Sequence, residues 1–111
     1  MTEQEGHRFY EVEYVERAIS FLEENVWTEQ VLDRIVRYVD LLSEFPDLGT
    51  PYNPDYPAAK PPFSCRSIAI PDTPFTLYYV KDDERLLVTI VYIEHQGANP
   101  EERFDWELIS L

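Results

Sequence analysis

The stretch CRSIAIPDTPFTLYYVKDDE, residues 65–84, decides the fold. It holds two strand-like runs separated by a proline-marked turn. The runs extend over residues 64–70 and 74–81. DDE then turns the chain into a third, RLLVTIVYIEH, over residues 85–95. The last two runs are apolar at nearly every position, which requires cover on both faces over much of their length. Three consecutive strands with short turns predict an antiparallel meander.

Upstream the period changes. RFYEVEY, residues 8–14, alternates as a short strand does. Val15, Ala18, Ile19, Leu22 and Val26 then recur at three- and four-residue spacing, one face of a helix, with Glu16, Arg17, Glu23 and Glu24 opposite. Thr28 is placed to cap a second helix, and Glu29 in its first turn suits the helix dipole. The apolar stripe of this helix is Val31, Leu32, Ile35, Val36, Val39 and Leu42, and Phe45-Pro46 ends it. So short a connection predicts an antiparallel helical hairpin. The whole reads as an α+β, two-layer domain: an N-terminal strand, an α-helical hairpin, then a three-stranded antiparallel meander with helices over one face.

Between the hairpin and the meander, residues 46–63 carry six of the nine prolines and Gly49, and no regular element is expected there. Tyr52, Tyr56 and Phe63 are anchors by which this loop would wrap the fold. A tail, residues 96–111, brings Phe104, Trp106, Leu108, Ile109 and Leu111 to its own domain or to a partner.

With 111 residues, 44% hydrophobic and 14% aromatic, the chain suits one folded domain over residues 1–111. No apolar run is long enough to cross a bilayer, and MTEQEGHR does not resemble a signal peptide, so the expectation is a cytoplasmic protein without membrane contact. Cys65 is the only cysteine, which excludes an internal disulfide and reads as a small buried hydrophobe. The net charge of −13 repels phosphate backbones, so any nucleic-acid contact must rest on a local basic pocket. Three unclustered glycines and two histidines predict no phosphate loop, no metal site and no cofactor.

Taken together, LLSEFPDLGTP (41–51), CRSIAI (65–70) and FTLYYVKDDERLLVTIVYIEH (75–95) resemble the RelE/ParE family of bacterial toxins from type II toxin–antitoxin systems, which includes plasmid stabilisation proteins. The likeness spans roughly residues 9–104. It implies a growth inhibitor neutralised by a cognate antitoxin that wraps it. Ribosome-dependent members cleave messenger RNA in the ribosomal A site, whereas the gyrase-directed branch inhibits DNA gyrase and need not cleave anything.

RNA cleavage needs a base for the 2′-OH, fixed cations for the pentacoordinate phosphate, and an acid for the leaving oxygen. On the resemblance, Arg66 and His95 are the catalytic candidates, as phosphate ligand and general acid, and Lys60, Thr76, Tyr79 and Gln96 are candidates for substrate binding. Arg66 reads equally as the partner of a nearby carboxylate, and His95 as a polar strand end. The family often has an arginine where Thr76 stands, and some members have one where Gln96 stands. Tyr78 and Tyr79 must face opposite sides of the sheet, as must Glu94 and His95. The alternative is a non-cleaving binder of the same fold, gyrase-directed or an inactive paralogue.

Overall fold

The computed structural model describes residues 9–52 and 64–96. Its elements run β1 (Glu11–Tyr14), α1 (Glu16–Asn25), α2 (Glu29–Glu44), β2 (Thr50–Pro51), β3 (Arg66–Ala69), β4 (Phe75–Asp82) and β5 (Leu87–His95). They form one sheet in the order β1-β5-β4-β3-β2. The meander is antiparallel throughout, β3 to β4 to β5. β1 instead pairs parallel with β5, Val12 opposite Val88 and Tyr14 opposite Ile90. That places β5 inside the sheet, between β1 and β4, as its apolar run demands. β2 is a two-residue edge strand on β3 that periodicity does not reveal.

Local chemistry sets the boundaries. Thr28 caps α2 by accepting a hydrogen bond from the Val31 amide at 3.3 Å. At the other end the Phe45 amide still reaches Leu41 O, and Pro46 stops the helix. The PDT turn uses Asp72 in the left-handed region, φ 61°, a conformation aspartate tolerates. Thr73 closes it, its hydroxyl donating to Ile70 O and accepting from the Phe75 amide. In the next turn Asp82 Oδ1 accepts from the amides of Glu84 and Arg85.

The helices cover one face of the sheet. Ala18, Ile35, Val39 and Leu42 pack there on Ile70, Phe75, Leu77, Tyr79, Val88, Ile90 and Ile93. The inward stripes are narrower than the sequence predicts. Ile19 is 44% exposed, and Phe21 packs with Leu22 against the core in its place. Leu32 and Val36 are 40% and 44% exposed. At roughly 100° per residue they fall on the flank of the arc through Val31, Ile35, Tyr38, Val39 and Leu42. Cys65, Tyr78 and Val91 form a second buried cluster on the opposite face, where Tyr52 packs edge-on against Tyr78 at 4.9 Å. The loop anchors Tyr56 and Phe63, the bulk of the proline-rich loop and the tail beyond Gln96 lie outside the described residues. No helix among the described residues is long and apolar enough to cross a membrane.

Candidate functional site

Residues 46–49, between α2 and β2, cross the helix-covered face of the sheet at its β3–β4 end. Tyr79 holds them there. Its side chain is fully buried, and its hydroxyl donates to Pro46 O at 2.8 Å and accepts from the Gly49 amide at 2.9 Å. Burial pushes the Tyr79 pKa up, so the hydroxyl keeps its proton. Gly49 fits only because it lacks a side chain: a Cβ would lie 2.7 Å from Ser67 O and 2.8 Å from the Tyr79 hydroxyl.

Arg66 stands directly opposite Tyr79 in the β3–β4 register, and Lys81 follows two residues later on the same face. The loop fixes Arg66, whose Nη1 donates to Gly49 O at 2.7 Å. Both cations then meet one carboxylate oxygen: Asp47 Oδ1 is 2.8 Å from Lys81 Nζ and 3.3 Å from Arg66 Nη2. Lys81 also pairs with Asp83 Oδ2 at 3.2 Å, and the Tyr10 hydroxyl donates to Asp83 Oδ1 at 2.6 Å. Hydrogen bonding to Asp47 raises the Lys81 pKa, and the bond from Tyr10 lowers that of Asp83. Two cations and two carboxylates thus cancel. Beside them lies a cavity of about 260 Å³ lined by Pro51, Ser64, Cys65, Arg66, Tyr79 and Lys81. Burial pushes the Cys65 thiol up to about 11, which leaves it a poor nucleophile at neutral pH.

The other expected site residues lie elsewhere. His95 pairs with Phe75 at the far end of β4, so it sits on the helix-covered face roughly 16 Å from Arg66, counted in strand spacings. Its ring lies against Phe75 and Phe21, with Nε2 3.2 Å from Asn25 Oδ1. Thr76, opposite Glu94, is on the other face. Gln96 fastens the PDT turn, its Nε2 donating to Phe75 O at 2.9 Å and Thr73 O at 3.2 Å. Lys60 lies outside the described residues. Arg66 and Tyr79 come together; His95, Thr76 and Gln96 do not join them.

Sequence reasoning passed over Asp47 and Lys81. The signal for Lys81 was its two-residue spacing from Tyr79, which becomes informative only once the register with Arg66 is known. It also missed the buried pair on the opposite face, where the Tyr78 hydroxyl donates to Glu94 Oε2 at 2.6 Å. Each of these residues belongs to a landmark phrase, but their mutual contacts depend on strand pairing.

A strand, two helices and an antiparallel meander closed by the parallel first strand is the fold of RelE toxins. An arginine double mutant of E. coli RelE in the free state superposes with a TM-score of 0.61 at 18% identity, over 82% of this chain and 87% of that one. The Mycobacterium tuberculosis toxin–antitoxin complex RelBE2 gives 0.58 at 22% identity, over 79% and 92%. An archaeal RelE–RelB complex from Pyrococcus horikoshii gives 0.62 at 10% identity, over 82% and 99%. No curated protein sequence matches significantly. The family described as ParE toxin of type II toxin–antitoxin system, parDE, matches residues 12–100. The chain belongs to this family, the toxin components of type II toxin–antitoxin pairs.

Proposed function

We propose that this toxin arrests growth by binding its target rather than by cleaving RNA, and that a cognate antitoxin neutralises it in the cytoplasm. The observation that carries the reading is the shared Asp47 oxygen between Arg66 and Lys81. A cleaving site needs cations aimed at one phosphate with a proton donor within hydrogen-bond reach of the same group. Here the cations are matched by the protein's own carboxylates, and His95 is some five residues' length away. The net charge of −13 adds repulsion toward messenger RNA. Among the targets that the family resemblance brings, DNA gyrase suits a non-cleaving inhibitor and the ribosome a cleaving one. Two of the similar structures are RelE with RelB, which supports an antitoxin as the regular partner.

Induction of the chain alone in a bacterial host tests this. Growth arrest that a small neighbouring reading frame relieves is expected, with translated messages intact and gyrase supercoiling inhibited. Cleavage of translated messages that Arg66→Ala or His95→Ala abolishes would replace the binding mechanism with the nuclease one. Absence of arrest would leave the inactive-paralogue reading in its place.

A further inference from the structure

We propose that the solvent side of the α1–α2 hairpin is a docking surface for a basic amphipathic helix of the antitoxin. The proposal rests on the antitoxin pairing above and adds to it a place and a sign of charge. α1 runs from beside Ile90, whose carbonyl accepts from the Val15 amide, to beside His95, where Asn25 Oδ1 lies 3.2 Å from Nε2. α2 returns to the start of β1, where the Ser43 hydroxyl donates to Tyr10 O. The helices are therefore antiparallel. Ile19 follows buried Ala18 and Val36 follows buried Ile35, so each stands roughly 100° round its helix in the same sense. On α2 the opposite flank points outward, since Arg34 Nη1 donates to Asp72 O in the β3–β4 turn. The Val36 flank faces α1: Asp40, one turn on, acts on Tyr14 two residues before α1, raising a pKa already raised by burial. Ile19 lies six residues before the end of α1 and Val36 seven after the start of α2, which sets them level. Leu32 continues the line one turn nearer the connection. The three form an apolar seam between the helices, each 40–44% exposed.

The charge around the seam has one sign. Glu16, Glu23, Glu29, Asp33 and Asp40 are exposed and stand within about 60° of the seam positions on their helices. Among the described residues no salt bridge pairs any of them. Arg17, Arg34 and Arg37 fall roughly 100° or more away from the seam. Like charges held together without partners favour an occupant that brings lysines or arginines. A second copy of the chain would bring the same carboxylates. Its own tail is acidic too, with Glu101, Glu102, Asp105 and Glu107 against Arg103, and an anionic membrane is repelled in the same way. An apolar line between two helices, edged by charge, suits a helix laid in a groove. Trp27, 85% exposed at the connection, stands at the Leu32 end of the line as an aromatic anchor.

The test is calorimetric and NMR titration of the full chain with a synthetic helical peptide whose leucine stripe is flanked by lysines. The controls are the same stripe flanked by glutamates and a scrambled order of the lysine peptide. The lysine peptide should bind and shift the methyl signals of Ile19, Leu32 and Val36, more weakly as salt rises. Ile19→Ser and Val36→Ser, both at exposed positions, should each weaken it roughly fivefold. Joint Glu23→Gln, Asp33→Asn and Asp40→Asn should weaken it roughly tenfold and flatten the salt dependence. Equal binding of the glutamate or the scrambled peptide, or unchanged affinity in the serine variants, would overturn the proposal. In growth, Ile19→Lys with Val36→Lys should leave arrest in place and raise the antitoxin level needed for relief roughly tenfold. Relief as efficient as for the wild type would refute the docking surface and leave the antitoxin pairing standing. Arrest that no neighbouring reading frame relieves would instead refute the pairing, and with it the assignment of this surface to an antitoxin.

Discussion

Tyr79→Phe removes one oxygen atom and tests how the fold positions its site. That oxygen serves two backbone groups, Pro46 O and the Gly49 amide, beneath a fully buried ring. Phenylalanine fills the same volume, so no cavity term enters. What remains is the desolvation of groups left without a partner, about 1–3 kcal/mol for a buried one. The Gly49 amide is buried and bears the full penalty, whereas Pro46 O is only partly buried and regains some hydration. The sum is about 2–3 kcal/mol. With a urea m-value of about 1.5 kcal/mol/M for a domain of this size, the midpoint should fall by roughly 1.3–2 M at unchanged m. Loosening the 46–49 segment also frees Asp47 and Gly49 O from their places beside Arg66. A midpoint shift below about 0.3 M would refute the view that the hydroxyl holds the loop.

Gly49→Ala should destabilise by at least as much as Tyr79→Phe in the same urea experiment, because the nearest atom to the new methyl is a backbone carbonyl, Ser67 O, at 2.7 Å. Cys65, pushed up to about 11 against an ordinary 9.0, should react with iodoacetamide near pH 8 roughly a hundredfold more slowly folded than unfolded. Equal rates would contradict its burial. The lowered pKa of Asp83, caused first by the Tyr10 hydroxyl and then by Lys81, fixes a sign as well. Its contribution is present above the ordinary carboxylate range and is lost as pH falls through the folded value. The stability gap between wild type and Asp83→Asn should therefore close as the pH drops below about 4. A gap that widens in acid would reverse the assignment.

The fold was legible because its signals are local. Apolar period, Thr28, Phe45-Pro46 and the PDT turn each act within a few residues, and the structure places the cap, the helix stop and the turn where the pattern does. The errors follow from what periodicity leaves out. A stripe of apolar positions does not say how wide an arc the sheet will cover, and Ile19, Leu32 and Val36 fall beyond its edge. Nor does any local signal report that β1 runs parallel beside β5, since that contact joins residues some 76 positions apart.

The site was hard to read for a related reason. Arg66 is visible in sequence as a lone cation on a strand, and its chemistry is decided by Asp47, which lies nineteen residues away in a loop, and by Lys81, fifteen residues away on the next strand. The same positive charge is a catalyst beside an unoccupied cavity and a structural tie beside a matched carboxylate. The Arg66–Tyr79 register brings the two cations to one face, and the contacts of Tyr79 with Pro46 and Gly49 and of Arg66 with Gly49 bring the carboxylate to both. Tyr79, which holds the loop across the sheet, therefore also holds in place the Asp47 carboxylate that neutralises the site. In this chain fold stability and restraint of the cationic pair depend on the same hydroxyl, so a change that opens the pair by moving the loop must also weaken the fold, whereas Asp47→Asn separates the two.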